Sequence, residues 1–141
     1  MSSTTYDDLA PADTIAAVWA PRALAVLRIV VALLFIEHGT QKLFSFPIPP
    51  PFPTPSAFTL LWFAAVIEMV GGALVLLGLG TRPVAFILAG QMAVAYFMAH
   101  FPRGFFPAAN GGEAAILYCF VFLYLAAAGP GAWALDRILR R

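Results

Sequence analysis

Apolar residues run through this chain in long blocks rather than in alternation. Four stretches, at about 22–44, 57–79, 83–100 and 114–132, are almost free of charge. A hydrocarbon core of ~30 Å takes about 20 helical residues to cross, a length the first two blocks meet and the last two approach. Pro83 opens the third block and Gly129, Pro130 and Gly131 close the fourth, which suits a helix start and a helix stop. Strands of a membrane barrel would alternate polar with apolar positions, and IVVALLF and ALVLLGL do not. An unpaired backbone amide in lipid costs several kcal/mol, so the blocks are expected to be helices. The predicted fold class is all-α: a polytopic membrane protein, one membrane domain over residues 1–141, built as a four-transmembrane-helix bundle.

The connections sharpen this picture. Residues 45–56, SFPIPPPFPTPS, hold six prolines in twelve positions and predict a stiff extended spacer outside the membrane, with docking to a partner as its other use. Gly80 to Pro83 predicts a tight turn. Arg22, Arg28, Arg82, Arg137, Arg140 and Arg141 fall on or near the side of the termini, against Lys42 and Arg103 on the other. Six against two places the termini, including an N-terminal segment 1–21, in the cytoplasm. Trp19, Trp62 and Trp133 fall near the expected interfaces, as an aromatic belt requires. The opening MSSTTYDDLAPADT lacks the basic region and short apolar core of a secretory signal.

Composition supports lipid as the solvent: 62% of the 141 residues are hydrophobic and 11% are charged, where a soluble domain carries about 25% charged. A net charge of +1 without basic–aromatic clusters argues against nucleic acid. Cys119, the one cysteine, rules out an intrachain disulfide and a multi-cysteine metal site. No dinucleotide or phosphate-loop glycine motif and no nucleophile elbow occurs.

Polar residues inside spans are costly and so stand out as candidates. Arg28 in the first block, Glu68 in the second and Gln91 in the third predict a structural clamp, with Arg28 paired to Glu68, Gln91 filling leftover valences, and Gly71, Gly72 and Gly78 allowing close helix approach. A second layer lies at the end away from the termini. There FIEHGTQKLF places His38 and Lys42 one turn apart, near the face of Arg28, with Glu37 pointing elsewhere. His100 ends the third block at similar depth, followed by Arg103, Asn110 and Glu113. Asn110 is expected to cap the fourth helix and Glu113 to sit at its positive end. Two facing histidines would suit a haem or a metal. The better fit is a quinone, which needs only an apolar slot and one or two donors; His38, Lys42, His100 and Glu113 are its candidate lining. Haem is the weaker cofactor candidate, and no metal site is assigned.

HGTQKLF after an arginine early in the first helix, EMVGGALVLLGLGTRP, NGGEAA and GPGAWALD together resemble the DoxX family of four-helix bacterial membrane proteins. The family's usual serine is replaced by Ala134 in the last motif. The resemblance, over about residues 22–137, implies a bacterial inner-membrane protein akin to small subunits of quinone-linked oxidoreductases, among them thiosulfate:quinone oxidoreductase, or to membrane complexes that handle oxidative stress or thiols. Arg28, Lys42, Glu68 and Glu113 match its recurrent polar positions. The expected function is an accessory subunit of a quinone-linked redox system, set in the bilayer beside a redox partner protein or in a homo-oligomer. Its alternatives are a non-catalytic anchor or assembly protein and, less favoured, a small proton-coupled transporter built around Glu68.

Overall fold

The computed structural model describes residues 11–139, and among these every regular element is helical. Helix α1 spans Pro11–Phe44, α2 Leu60–Leu77, and α3 Thr81–Ala95, which runs on through a π-type turn, Tyr96–His100, and a 3-10 turn, Phe101–Arg103. A short α4, Pro107–Asn110, leads into α5, Glu113–Ala128, and a final turn α6, Leu135–Leu139, closes the described chain. Three helices, Thr14–Phe44, Leu60–Leu77 and Thr81–Arg103, are long and apolar enough to cross a membrane; α5 is the shorter fourth, with 16 residues. The expected bundle of four apolar helices is present.

Its boundaries differ from those read in the sequence. Helix α1 begins at least eleven residues before the expected start at 22 and carries Pro21 inside it, because the run IAAVWA continues as good helix former on the near side of Arg22. At 34 residues it is about 51 Å long, well over a hydrocarbon core of ~30 Å, so its first turns stand beyond the bundle, with Ile15 and Trp19 exposed. Expectations about residues 1–10 and 140–141 lie outside the described residues.

Helices α1 and α2 run antiparallel in close contact. A Cβ on Gly39 would lie 2.6 Å from Met69 Cγ and 2.8 Å from the Ala65 carbonyl oxygen. That carbonyl belongs to the helix backbone and cannot step aside. Gly39→Ala is therefore expected to destabilise the protein by about 1–3 kcal/mol, read as a fall in the thermal midpoint of the purified protein. An unchanged midpoint would mean that α1 and α2 are not held this close. On the other side, Phe35 of α1 packs edge-on to Phe122 of α5, 4.8 Å between centroids. Leu88 and Met92 of α3 complete the core with Val75 and Leu125.

The turn between α2 and α3 has a physical cause in two glycines. Gly78 takes φ 69°, and its N–H and that of Leu79 return to the carbonyls of Val75 and Leu74, the paired pattern that ends a helix in a left-handed residue. The start of α3 is capped from the far end of the chain: the Asp136 carboxylate accepts from the Gly80 N–H at 2.8 Å and the Thr81 N–H at 3.0 Å. An acidic side chain at these free amides also meets the positive end of the helix dipole. The segment after α5 thus folds back across the bundle and latches the α2–α3 turn.

Candidate functional site

Two polar centres lie in the bundle, the second of them about midway along α2. The first is at the end of the termini. Arg28 is fully buried, and its guanidinium donates only to backbone: Nε to Pro130 (2.9 Å), Nη1 to Val75 (2.8 Å) and Leu76 (2.7 Å), Nη2 to Ala132 (3.3 Å) and Trp133 (3.0 Å). Guanidinium has five N–H donors, so this group is saturated. It ties the last turn of α2, whose carbonyls are the negative end of that helix, to the loop after α5. Arg82 does the same for α5, donating to the carbonyls of Ala126, Ala127 and Ala128.

The expected Arg28–Glu68 pair is thus corrected. The carbonyls that Arg28 holds are seven and eight residues beyond Glu68 on α2, about 10 Å along the helix. The Glu68 carboxylate instead makes its ion pair with Lys42. Gln91 does meet Glu68, so that part of the expected clamp is present without the arginine.

The second centre is this Lys42–Glu68–Gln91 cluster, one residue from each of α1, α2 and α3. A helical side chain leans toward the N-terminus of its helix, so Lys42, near the end of α1, reaches back into the bundle. Its side chain is 19% exposed, while that of Glu68 is 2% exposed. Lys42 Nζ donates to Glu68 Oε1. Gln91 Nε2 donates to the same oxygen at 3.3 Å and to the Ala64 carbonyl at 3.0 Å. Two atoms are left over: Glu68 Oε2 and Gln91 Oε1 are buried without a hydrogen-bond partner. Buried polar atoms are nearly always satisfied, so a pair of adjacent residues with open acceptors marks the place in the bundle where a donor would bind.

The other candidates from the sequence do not join it. His38 is exposed and meets Tyr118 edge-on at 5.7 Å. The His100 ring sits 3.2 Å from the Asn110 carbonyl through Nδ1 and stacks on Tyr96. His100 is the last residue of the π-type turn, and the two histidines make separate contacts. Glu113 is exposed in the first turn of α5. Asn110 is buried but does not cap α5 from the N-cap position, which Gly112 holds; its Oδ1 accepts from the Gly112 N–H at 2.8 Å and its Nδ2 donates to the Gly104 carbonyl at 2.8 Å. It ties the turn at Gly104 to the turn at Gly112. Among the described residues no group of three or more histidines, cysteines or carboxylates comes together as a metal site. A cleft of about 910 Å³, lined among others by Leu24, Thr81, Tyr124 and Asp136, lies at the terminal end and is separate from the cluster.

A bundle of apolar helices with a saturated arginine and an ion pair inside it defines a helical membrane protein. The model of the DoxX family matches residues 23–101, more than half of the chain, and the protein belongs to that family. It is 52% identical to an uncharacterised protein of Haemophilus influenzae over 82% of this chain and 90% of that one. It is 31% identical to an uncharacterised membrane protein of Mycobacterium tuberculosis over 86% and 83%. No solved structure matches the chain.

Proposed function

We propose that this protein is an accessory subunit of a quinone-linked redox system in the bacterial inner membrane, with both termini in the cytoplasm and the Lys42–Glu68–Gln91 cluster on the outer side. The observation that carries this reading is the pair of open acceptors, Glu68 Oε2 and Gln91 Oε1. They lie beside an ammonium group among apolar helices. An amphiphilic ring that carries a hydroxyl and reaches them through lipid would find acceptors that nothing in the protein occupies. On this reading the ring would sit beside Lys42, Glu68 and Gln91, deeper than the sequence suggests, with His38 and Tyr118 to one side and His100 and Glu113 taking no part. Electrons would come from or go to a partner redox protein, since the chain carries no nucleotide motif.

Mild purification followed by lipid extraction and mass spectrometry tests the proposal. Quinone is expected at close to one molecule per chain, and at less than a tenth of that when the charged pair is removed together by Lys42→Met and Glu68→Gln. Extracts with only trace quinone would overturn it.

A second reading, a non-catalytic anchor or assembly protein, is favoured by a different observation. Arg28 shows that a buried charge in this bundle can be wholly structural, and Phe44, Phe46, Ile48 and Phe58 leave an apolar exposed rim around the proline-rich loop. A soluble redox enzyme retained at fixed stoichiometry, with no quinone in the extract, is the outcome that would select it.

A further inference from the structure

We propose that the Lys42–Glu68–Gln91 site takes the reduced, dihydroxy form of its ring in preference to the oxidised dione, an inference that rests on the quinone reading above. Glu68 Oε1 already accepts from both Lys42 Nζ and Gln91 Nε2, while Oε2 accepts from nothing. The two hydrogens of Gln91 Nε2 are directed at the Ala64 carbonyl and Glu68 Oε1, and its Oε1 is the second open acceptor. The amide cannot be turned over to change this, because its oxygen would then face two other oxygens. The buried part of the site therefore offers acceptors and no spare donor.

A hydroquinone hydroxyl supplies the hydrogen that Glu68 Oε2 lacks. A dione carbonyl brings only lone pairs and would set them against a carboxylate oxygen, the arrangement that leaves a buried acceptor unsatisfied. Lys42 retains N–H groups that a carbonyl could use, but at 19% exposure its side chain is much less enclosed than that of Glu68 at 2%, so a carbonyl bound there would leave the buried Glu68 Oε2 and Gln91 Oε1 still without a donor. Lys42 also fits the role of a movable cover, being a point charge on a flexible four-carbon stem above a fixed carboxylate and amide.

The test is equilibrium binding of ubiquinone-1 and ubiquinol-1 to the full-length protein in lipid nanodiscs under anaerobic conditions, by calorimetry. The reduced form is expected to bind at least tenfold more tightly, which in a two-electron couple raises the midpoint potential of the bound ring by about 30 mV. Gln91→Met keeps the Lys42–Glu68 pair and removes one acceptor, and Glu68→Gln replaces the other with an amide. In each folded variant the preference should fall below threefold, and Gln91→Met decides alone if Glu68→Gln does not fold. Equal binding, tighter binding of ubiquinone-1, or a preference undiminished in the folded variants overturns the inference while leaving the quinone reading in place. Binding of neither form overturns both.

Discussion

Arg28→Ala is expected to abolish accumulation of folded protein, and Arg28→Lys to do nearly as much. Five carbonyls, on Val75, Leu76, Pro130, Ala132 and Trp133, accept a hydrogen bond from this one side chain, and Val75 shares its oxygen with the Gly78 N–H. A hydrogen bond to a charged group contributes about 1.5–3 kcal/mol. Even with strong non-additivity, the loss of five should approach the whole stability of a small domain, about 5–15 kcal/mol. Lysine keeps the charge but is a single point with three donors; it cannot reach both the end of α2 and the loop after α5. A Cβ on Gly78 would come within 2.7 Å of Arg28 Nη1, so the backbone packs directly against the guanidinium and its removal leaves a cavity as well as open carbonyls. The measurement is membrane yield and monodispersity after mild extraction, with the thermal midpoint of whatever is recovered. Recovery of Arg28→Ala at wild-type yield and midpoint would show that the carbonyls find other donors and that the latch is dispensable.

The same side chain marks the limit of what the sequence could reveal. The four helices were legible because lipid leaves the backbone no alternative, and the long apolar blocks announce it. Arg28 and Glu68 each stood out as buried polar residues for the same reason. Their partners did not. Pairing by charge assumes that an arginine seeks a carboxylate, whereas the acceptors here are main-chain carbonyls, which carry no residue identity. Two of them are carbonyls at the end of α2, and the other three come into place where Gly129 ends α5 and the chain turns back over α1, with the Ala132 N–H donating to the Pro21 carbonyl at 2.8 Å. The contact with Asp136 was likewise invisible, since it joins residues more than fifty positions apart. Traces were present: GPGAWALD is the segment that supplies three of the five carbonyls and the capping acid. Depth along the helices was the other unknown. The register of α1 against α2 is set by close backbone contact at Gly39 and Gly72, and hydropathy is blind to a shift of two turns. The backbone position of Lys42 points to the outer layer, and its inward lean brings the ammonium to Glu68 instead.

Lys42→Met alone is expected to cost about 3–5 kcal/mol, because it leaves the Glu68 carboxylate buried without its counter-ion. Adding Glu68→Gln should restore most of that loss, since the double variant has no uncompensated charge and an amide fills nearly the same space as the acid. The pair therefore predicts a coupling energy of more than about 2 kcal/mol in a double-mutant cycle on unfolding. Stability and ligand content should separate: the double variant is expected to fold and to lose its quinone, whereas Lys42→Met should lose both. If the single substitution is as stable as wild type, Glu68 has another source of compensation and the ion pair is incidental. If the double variant folds and keeps its quinone, the ring is held by something other than this cluster. Arg28 and Lys42 are both cations that α1 turns into the bundle, and their partners set them apart: Arg28 serves main-chain carbonyls, which no side-chain substitution removes, while Lys42 serves one side chain, so a single change at Glu68 can offset its loss.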